Sequence, residues 1–82
     1  MPKSFQVGIY SSDRVFYEGQ AVSLVVPCEA GYLGILAKHA PLAAKICPGK
    51  IAWRSPKGAI STIDYSDYGF LEISDNQATL LL

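Results

Sequence analysis

His39 is the only histidine of the chain, so any nucleophile–base pair would have to be built on it. A Ser-His-Asp arrangement is set in space, and the sequence leaves one open. Yet no serine stands in a G-x-S-x-G or other nucleophile signature. A lone histidine followed by Ala40-Pro41 reads first as a turn or interface residue. Paired carboxylates would do general acid–base work. Asp64 and Asp67 are three apart across an expected turn, where acids cap nearby amides more cheaply. Gly31 and Gly34 offer a glycine-rich loop, but a phosphate loop needs lysine and then Ser or Thr after its second glycine, leading into a helix. Here Gly34 is followed by Ile35-Leu36, and Pro48-Gly49-Lys50 runs into a strand. Cys28 and Cys47 lie in no C-x-x-C arrangement, whereas a metal site needs about three or four ligands. They read as small, reduced, structural side chains. The expectation is a chain with no catalytic residue, no cofactor and no metal.

Composition narrows the partners. Seven basic and seven acidic side chains balance over 82 residues. A nucleic-acid binder needs a basic face to displace counterions, and a polybasic membrane patch needs an excess of lysine and arginine. Neither is present, and a near-neutral surface favours association with protein. The run Met1-Pro2-Lys3-Ser4 leads directly into Phe5-Gln6-Val7, with no apolar stretch of signal-peptide or transmembrane length. The expectation is a soluble, cytosolic chain without direct membrane insertion.

The elements that must position these residues are strands. Phe5, Val7 and Ile9 alternate with Gln6, Gly8 and Tyr10. Ser11-Ser12-Asp13 is a turn cluster. Residues 15–18 form a short strand closed by Gly19; residues 22–26 form another, ended by Pro27. Residues 28–31 read as a loop, and the apolar run 32–36 is interrupted by Gly34, which suggests a bend or bulge. Residues 42–46 are a strand, and Pro41 argues against a helix over 36–45. Pro48-Gly49, Ser55-Pro56-Lys57-Gly58 and Asp75-Asn76 are turns that separate strands over 50–54, 59–65, 68–73 and 77–82. About nine strands in one domain, residues 1–82, predict an all-β sandwich or flattened barrel. Trp53 shares a face with Ile51 and is assigned to the core. Five tyrosines on so small a domain suggest an interface, with Tyr32 and Tyr68 at loops.

One segment is far more specific. Gly31-Tyr32-Leu33-Gly34-Ile35-Leu36-Ala37-Lys38-His39-Ala40-Pro41-Leu42, followed by Pro48-Gly49, resembles the G-x-L-G-I-L-P-x-H-A-P-L…P-G signature of the ε subunit of F-type ATP synthase. Phe16-Tyr17-Glu18-Gly19 with Val22, and Gly69-Phe70-Leu71-Glu72-Ile73 with Asn76 and Thr79-Leu80-Leu81, match further family segments. The resemblance covers residues 5–82 in order. It implies a ten-stranded β-sandwich of two packed sheets. It also implies a non-catalytic rotor part at the foot of the central stalk, on the cytoplasmic face of a bacterial cell membrane. There it would join the γ subunit to the ring of c subunits and couple proton transport to ATP synthesis.

Residue by residue, the resemblance assigns Glu29, Ala30, Gly31, Tyr32 and Leu33 to the ring-facing side. It assigns Ser11, Lys38, His39, Ala40, Pro41, Leu42 and Ala44 to the γ-facing side. An exposed apolar patch is expected near residues 39–44. Three positions depart from the family pattern: Ala37 replaces a proline, Tyr32 often an acid, and Tyr68 the first glycine of a pair. Glu29 is then the acid available to a basic ring loop. Most ε subunits continue into two regulatory helices; the resemblance here is to the sandwich alone. The competing readings are a small β-barrel binding oligonucleotide or carbohydrate through stacked tyrosines, and a hydrolase built on His39.

Overall fold

The computed structural model describes residues 3–82. The start of the segment read for targeting signals, Met1-Pro2, lies outside them. Nine strands are formed: β1 Phe5–Tyr10, β2 Val15–Ala21, β3 Ser23–Cys28, β4 Gly31–Ile35, β5 Leu42–Ile46, β6 Gly49–Arg54, β7 Ile60–Tyr65, β8 Gly69–Ser74 and β9 Gln77–Leu81. This is the number that alternation alone predicts, one fewer than the resemblance implies. The links 11–14 and 36–41 add no strand among the described residues.

Hydrogen bonding runs in the order β2-β1-β9-β8-β5-β3-β6-β7, with β4 on the free side of β3. The β5–β3 step is a single pair, Cys28 opposite Ile46. The ladder therefore folds over at that seam into two halves: β2-β1-β9-β8-β5 and β4-β3-β6-β7. All pairings are antiparallel except β1–β9. Both halves turn their apolar residues onto one shared core. Val7, Ile9, Leu71, Ile73, Ala78 and Leu80 come from the first, and Leu24, Val26, Ile35, Ile51 and Trp53 from the second. No polar or charged side chain is buried among the described residues. Tyr17 of β2 meets Trp53 of β6 across the gap, ring centroids 5.1 Å apart, so one aromatic contact bridges the two sheets.

Two local expectations change. Pro27 does not end its strand. It pairs with Tyr32 on one side, and on the other its carbonyl accepts the Cys47 N–H at 2.9 Å. That second side is the seam, where a ladder donor is not required, so the missing proline N–H is tolerated. Gly34 makes no bulge either. It pairs in register with Val25, and its missing side chain faces open space. The register shift falls instead between Ile9 and Tyr10, opposite the start of β2, and leaves Phe16 packed against the core.

Turn chemistry fixes the two-residue β8–β9 hairpin. Asp75 and Asn76 have φ of 52° and 60°, the backbone of a type I′ turn, which tolerates Asp and Asn better than most residues.

Candidate partner-binding surfaces

The loops gather at two ends of the sandwich. At one end lie the turn after Tyr10, the β3–β4 turn, the Cys47-Pro48 link and the Ser66-Asp67-Tyr68 link. At the other lie Ser4, residues 36–41, residues 55–59 and the Asp75-Asn76 turn.

The proposed ring-facing residues form one hairpin tip. Cys28 pairs with Gly31, so Glu29 and Ala30 span the turn, both exposed. Gly31 has φ of 118°, a conformation that other residues rarely adopt. Leu33 turns inward onto the core, while Tyr32 is 62% exposed. The Tyr32 ring is not loose, because the Lys50 N–H donates to its hydroxyl oxygen at 3.2 Å. A side chain at Gly49 would meet that hydroxyl and Pro27, both at 2.9 Å. The tyrosine hydroxyl thus sits over Gly49 and ties the hairpin to the start of β6.

The residues assigned to the γ side are not brought together. Lys38, His39, Ala40 and Pro41 lie at the opposite end, where the Lys38 N–H donates to Asn76 Oδ1 at 2.6 Å. Ser11 follows β1 at the Glu29 end. Gln6, which donates to the Asn76 carbonyl, marks the Lys38 end of the same strand. Five residues of strand, roughly 17 Å, separate the two. Leu42 and Ala44 also share the parity of buried Ile46 and turn toward the core, leaving Ala43 and Lys45 outward. Ala40, Pro41 and Ala43 are exposed and Leu42 and Ala44 half-buried, so the apolar surface near residues 39–44 consists mainly of small side chains. The large exposed apolar side chains of this sheet are Val15, Phe70 and Leu81, at the other end of the strands.

His39 Nδ1 donates to the carbonyl of its own neighbour, Ala40, at 2.7 Å, a turn-locking contact. Among the described residues no three metal-ligating side chains converge. No helix there is long and apolar enough to cross a membrane. The described surface includes two shallow depressions. One of about 210 Å³ is lined by Glu72, Ser74, Asp75, Gln77 and Thr79. One of about 170 Å³ lies over Val25, Ala52 and Ile60. Neither is lined by His39. Burial, then the neighbouring Cys47, pushes the Cys28 thiol above its ordinary value, which keeps it in the less reactive neutral form.

Asn76 is a bracing residue that its turn position alone does not reveal. Its side chain accepts from Lys38 and donates to the Ser4 carbonyl at 3.2 Å. One amide thus ties the residue 38–41 loop to the start of β1. We expect Asn76→Ala to lower stability by about 1–3 kcal/mol through two lost hydrogen bonds and a strained turn. Asn76→Gly keeps the turn and loses only the tie. Amide exchange at Lys38 should quicken in both variants, while urea unfolding separates them.

Comparison with known proteins agrees with this architecture. Residues 4–82 match the family described as the ATP synthase Delta/Epsilon chain, beta-sandwich domain. The chain is 38% identical to the ATP synthase epsilon chain of Dichelobacter nodosus over 99% of its own length and 56% of the relative's. It is 32% identical to the chloroplastic epsilon chain of Chlamydomonas reinhardtii, over 95% of its length and 58% of that protein. Its fold matches a chain of the Euglena gracilis mitochondrial ATP synthase, solved with OSCP, F1 and c-ring. The TM-score is 0.87 at 16% identity, covering 99% of this chain and 51% of that one. A chain of the Tetrahymena thermophila central stalk and c-ring structure matches with a TM-score of 0.74 at 13% identity, over 93% and 60% of the two chains. The fold is thus an all-β sandwich of the type that these rotary assemblies contain. The chain belongs to the ATP synthase delta/epsilon family, as its β-sandwich domain, and spans a little over half the length of the relatives it matches.

Proposed function

We propose that this domain is a non-catalytic part of the rotor of an F-type ATP synthase. In this reading it links the γ subunit to the c-ring at the cytoplasmic face of a bacterial cell membrane. The observation that carries it is family membership over nearly the whole chain, with a fold shared by chains of two ATP synthase assemblies. The physical character of the domain supports the role. A torque-bearing foot needs rigidity and surfaces rather than a pocket. Here the core is wholly apolar and single, and the loops are tied by short hydrogen bonds. The rigid hairpin tip with exposed Glu29 is the proposed ring contact; Ser11 and the residue 38–44 segment are the γ contacts that the resemblance implies.

The test is direct. Mixed with the γ subunit of its own organism, the purified chain should co-elute as a one-to-one complex and hydrolyse no ATP alone. Separate elution at micromolar concentrations would overturn the reading. Salt-sensitive binding to single-stranded oligonucleotide would favour the barrel alternative, against which the balanced charge already speaks.

A further inference from the structure

We infer that β7 is a pairing edge for a second copy of this chain. The two β7 strands run antiparallel across a two-fold axis at Thr62 and join the β4-β3-β6-β7 halves of two molecules into one continuous sheet. The contact belongs to the chain by itself and stands whether or not the rotor reading holds.

The backbone of β7 points to this. The strand ends its ladder and is bonded to β6 on one side only. Successive residues of an antiparallel strand send their N–H and C=O groups to opposite sides. Two contacts fix which β7 residues point outward. The Arg54 carbonyl accepts the Val22 N–H at 2.9 Å, and the Lys50 N–H donates to the Tyr32 hydroxyl at 3.2 Å. Both groups point away from β7, so the pairs Arg54–Ile60 and Lys50–Asp64 carry no ladder bonds. Ala52–Thr62, between them, has the same parity. The Ser55 N–H donates to the Ala59 carbonyl at 2.8 Å, which marks the other parity as the bonded one. The N–H and C=O of Ile60, Thr62 and Asp64 therefore face outward, and no backbone bond outside the ladders takes them up among the described residues.

Such edges are usually guarded by lysine, proline, a bulge or shortness. Edge strand β2 carries Glu18 and begins at a register shift. Edge strand β4 has five residues, two of them glycine. β7 has six residues, Ile60 to Tyr65, without lysine, proline or glycine, and Ile60, Thr62 and Ile63 are β-branched. Its one charge is Asp64.

The outward groups fit a copy of themselves. They are symmetric about Thr62. With two strands antiparallel, Thr62 meets Thr62 and each Ile60 meets the other molecule's Asp64. Each of these pairs exchanges two hydrogen bonds, and no outward group of the three residues is left over. A slid register engages at most two of the three residues. The threonine pair is itself a favourable cross-strand contact. The charges agree with the same register. Arg54 lies beside Ile60 on β6, and Lys50 Nζ lies 4.0 Å from the Asp64 carboxylate. Across the contact the row reads Arg54, Ile60, Asp64, Lys50, so each carboxylate has a cation to either side and no carboxylate opposite. The balanced net charge adds no repulsion between copies.

The test is sedimentation equilibrium of the 82-residue chain from micromolar to millimolar concentration, with amide exchange measured at both ends. A small edge contact should give a weak monomer–dimer equilibrium that closes at two. Exchange at Ile60, Thr62 and Asp64 should slow as concentration rises, while Ser61 and Ile63 stay as they are. Thr62→Pro removes an outward N–H and no ladder bond, a place where an edge strand tolerates proline. Thr62→Lys leaves the backbone whole and sets two lysines against each other at the axis. Each should weaken the dimer by about 10-fold or more, with folding checked by circular dichroism; if the proline variant unfolds, the lysine variant decides. Val15→Lys, on exposed edge strand β2, should leave the dimer unchanged. A chain that stays monomeric at millimolar concentration overturns the inference. So does a dimer that survives Thr62→Lys, one whose slowed amides lie on β2 or β4, or assembly beyond two copies.

Discussion

Replacing Trp53 with alanine is expected to lower stability by about 3–5 kcal/mol, the usual range for deleting a buried large aromatic side chain. Trp53 is 6% exposed and is the chain's only tryptophan. Its ring lies 5.1 Å from that of Tyr17, which sits on the far edge strand of the opposite sheet. The two sheets share one ladder pair at the β3–β5 seam; on the other side Val22 links β2 to β3 and its N–H donates to the Arg54 carbonyl at 2.9 Å, and the aromatic contact adds packing there. A domain of this size has roughly 4–12 kcal/mol in total, so the variant should be partly unfolded at 37 °C. Urea unfolding followed by far-ultraviolet circular dichroism checks this, since the substitution removes the fluorophore. Tyr17→Phe is the companion. It keeps the ring and loses only the hydroxyl bond to the Gln20 carbonyl, and should cost about 0.5–1.5 kcal/mol. Equal losses in the two variants would refute the bridging role.

Gly69→Ala should be the most damaging single-methyl addition, at about 1–3 kcal/mol. A Cβ at Gly69 would collide with the Leu81 carbonyl oxygen and crowd the Leu82 backbone. Both obstacles are backbone, so no side-chain rotation relieves them. Gly69 faces Ile46 at the end of the β5–β8 ladder, and the neighbouring pair is Phe70 with Leu81. The substitution would pry β9 from β8 beside the Phe70–Leu81 pair. The variant should unfold at a lower urea concentration than the unmodified chain, read by far-ultraviolet circular dichroism. Gly34→Ala, with open space at its Cβ, is the control.

The strands were legible because period-two alternation marks a half-buried strand without reference to its neighbours. Val7 and Ile9, Ile51 and Trp53 all stand inward as the pattern requires. The Asp75-Asn76 turn was legible for a local reason too, its demand for positive φ. Pro27 was misread because its tolerance depends on which strand flanks it, and the seam with Cys47 is a tertiary fact. The parallel β1–β9 pair joins strands about 70 residues apart, and nothing local encodes it. The same holds for the surfaces. Phe70 shares its face with Glu72 and Leu71 with Ile73, so alternation alone turns Phe70 outward. Only the register aligns Phe70 with Leu81, Tyr10 and Val15. The motif match around His39 located the family securely. It did not reveal that Leu42 and Ala44 point inward, or that Ser11 lies a strand's length from His39.

The proposed coupling of the γ subunit to the c-ring through this sandwich can be measured by reconstitution. The most direct measurement uses membranes carrying the proton-translocating sector, F1 stripped of its ε subunit, and this chain added back. F1 should rebind, and proton-driven ATP synthesis should return in proportion to the chain added. Glu29→Lys at the hairpin tip should lower the synthesis while γ binding persists. A chain that binds neither γ nor the membranes, and leaves synthesis at the level of ε-free F1, would contradict the proposed coupling.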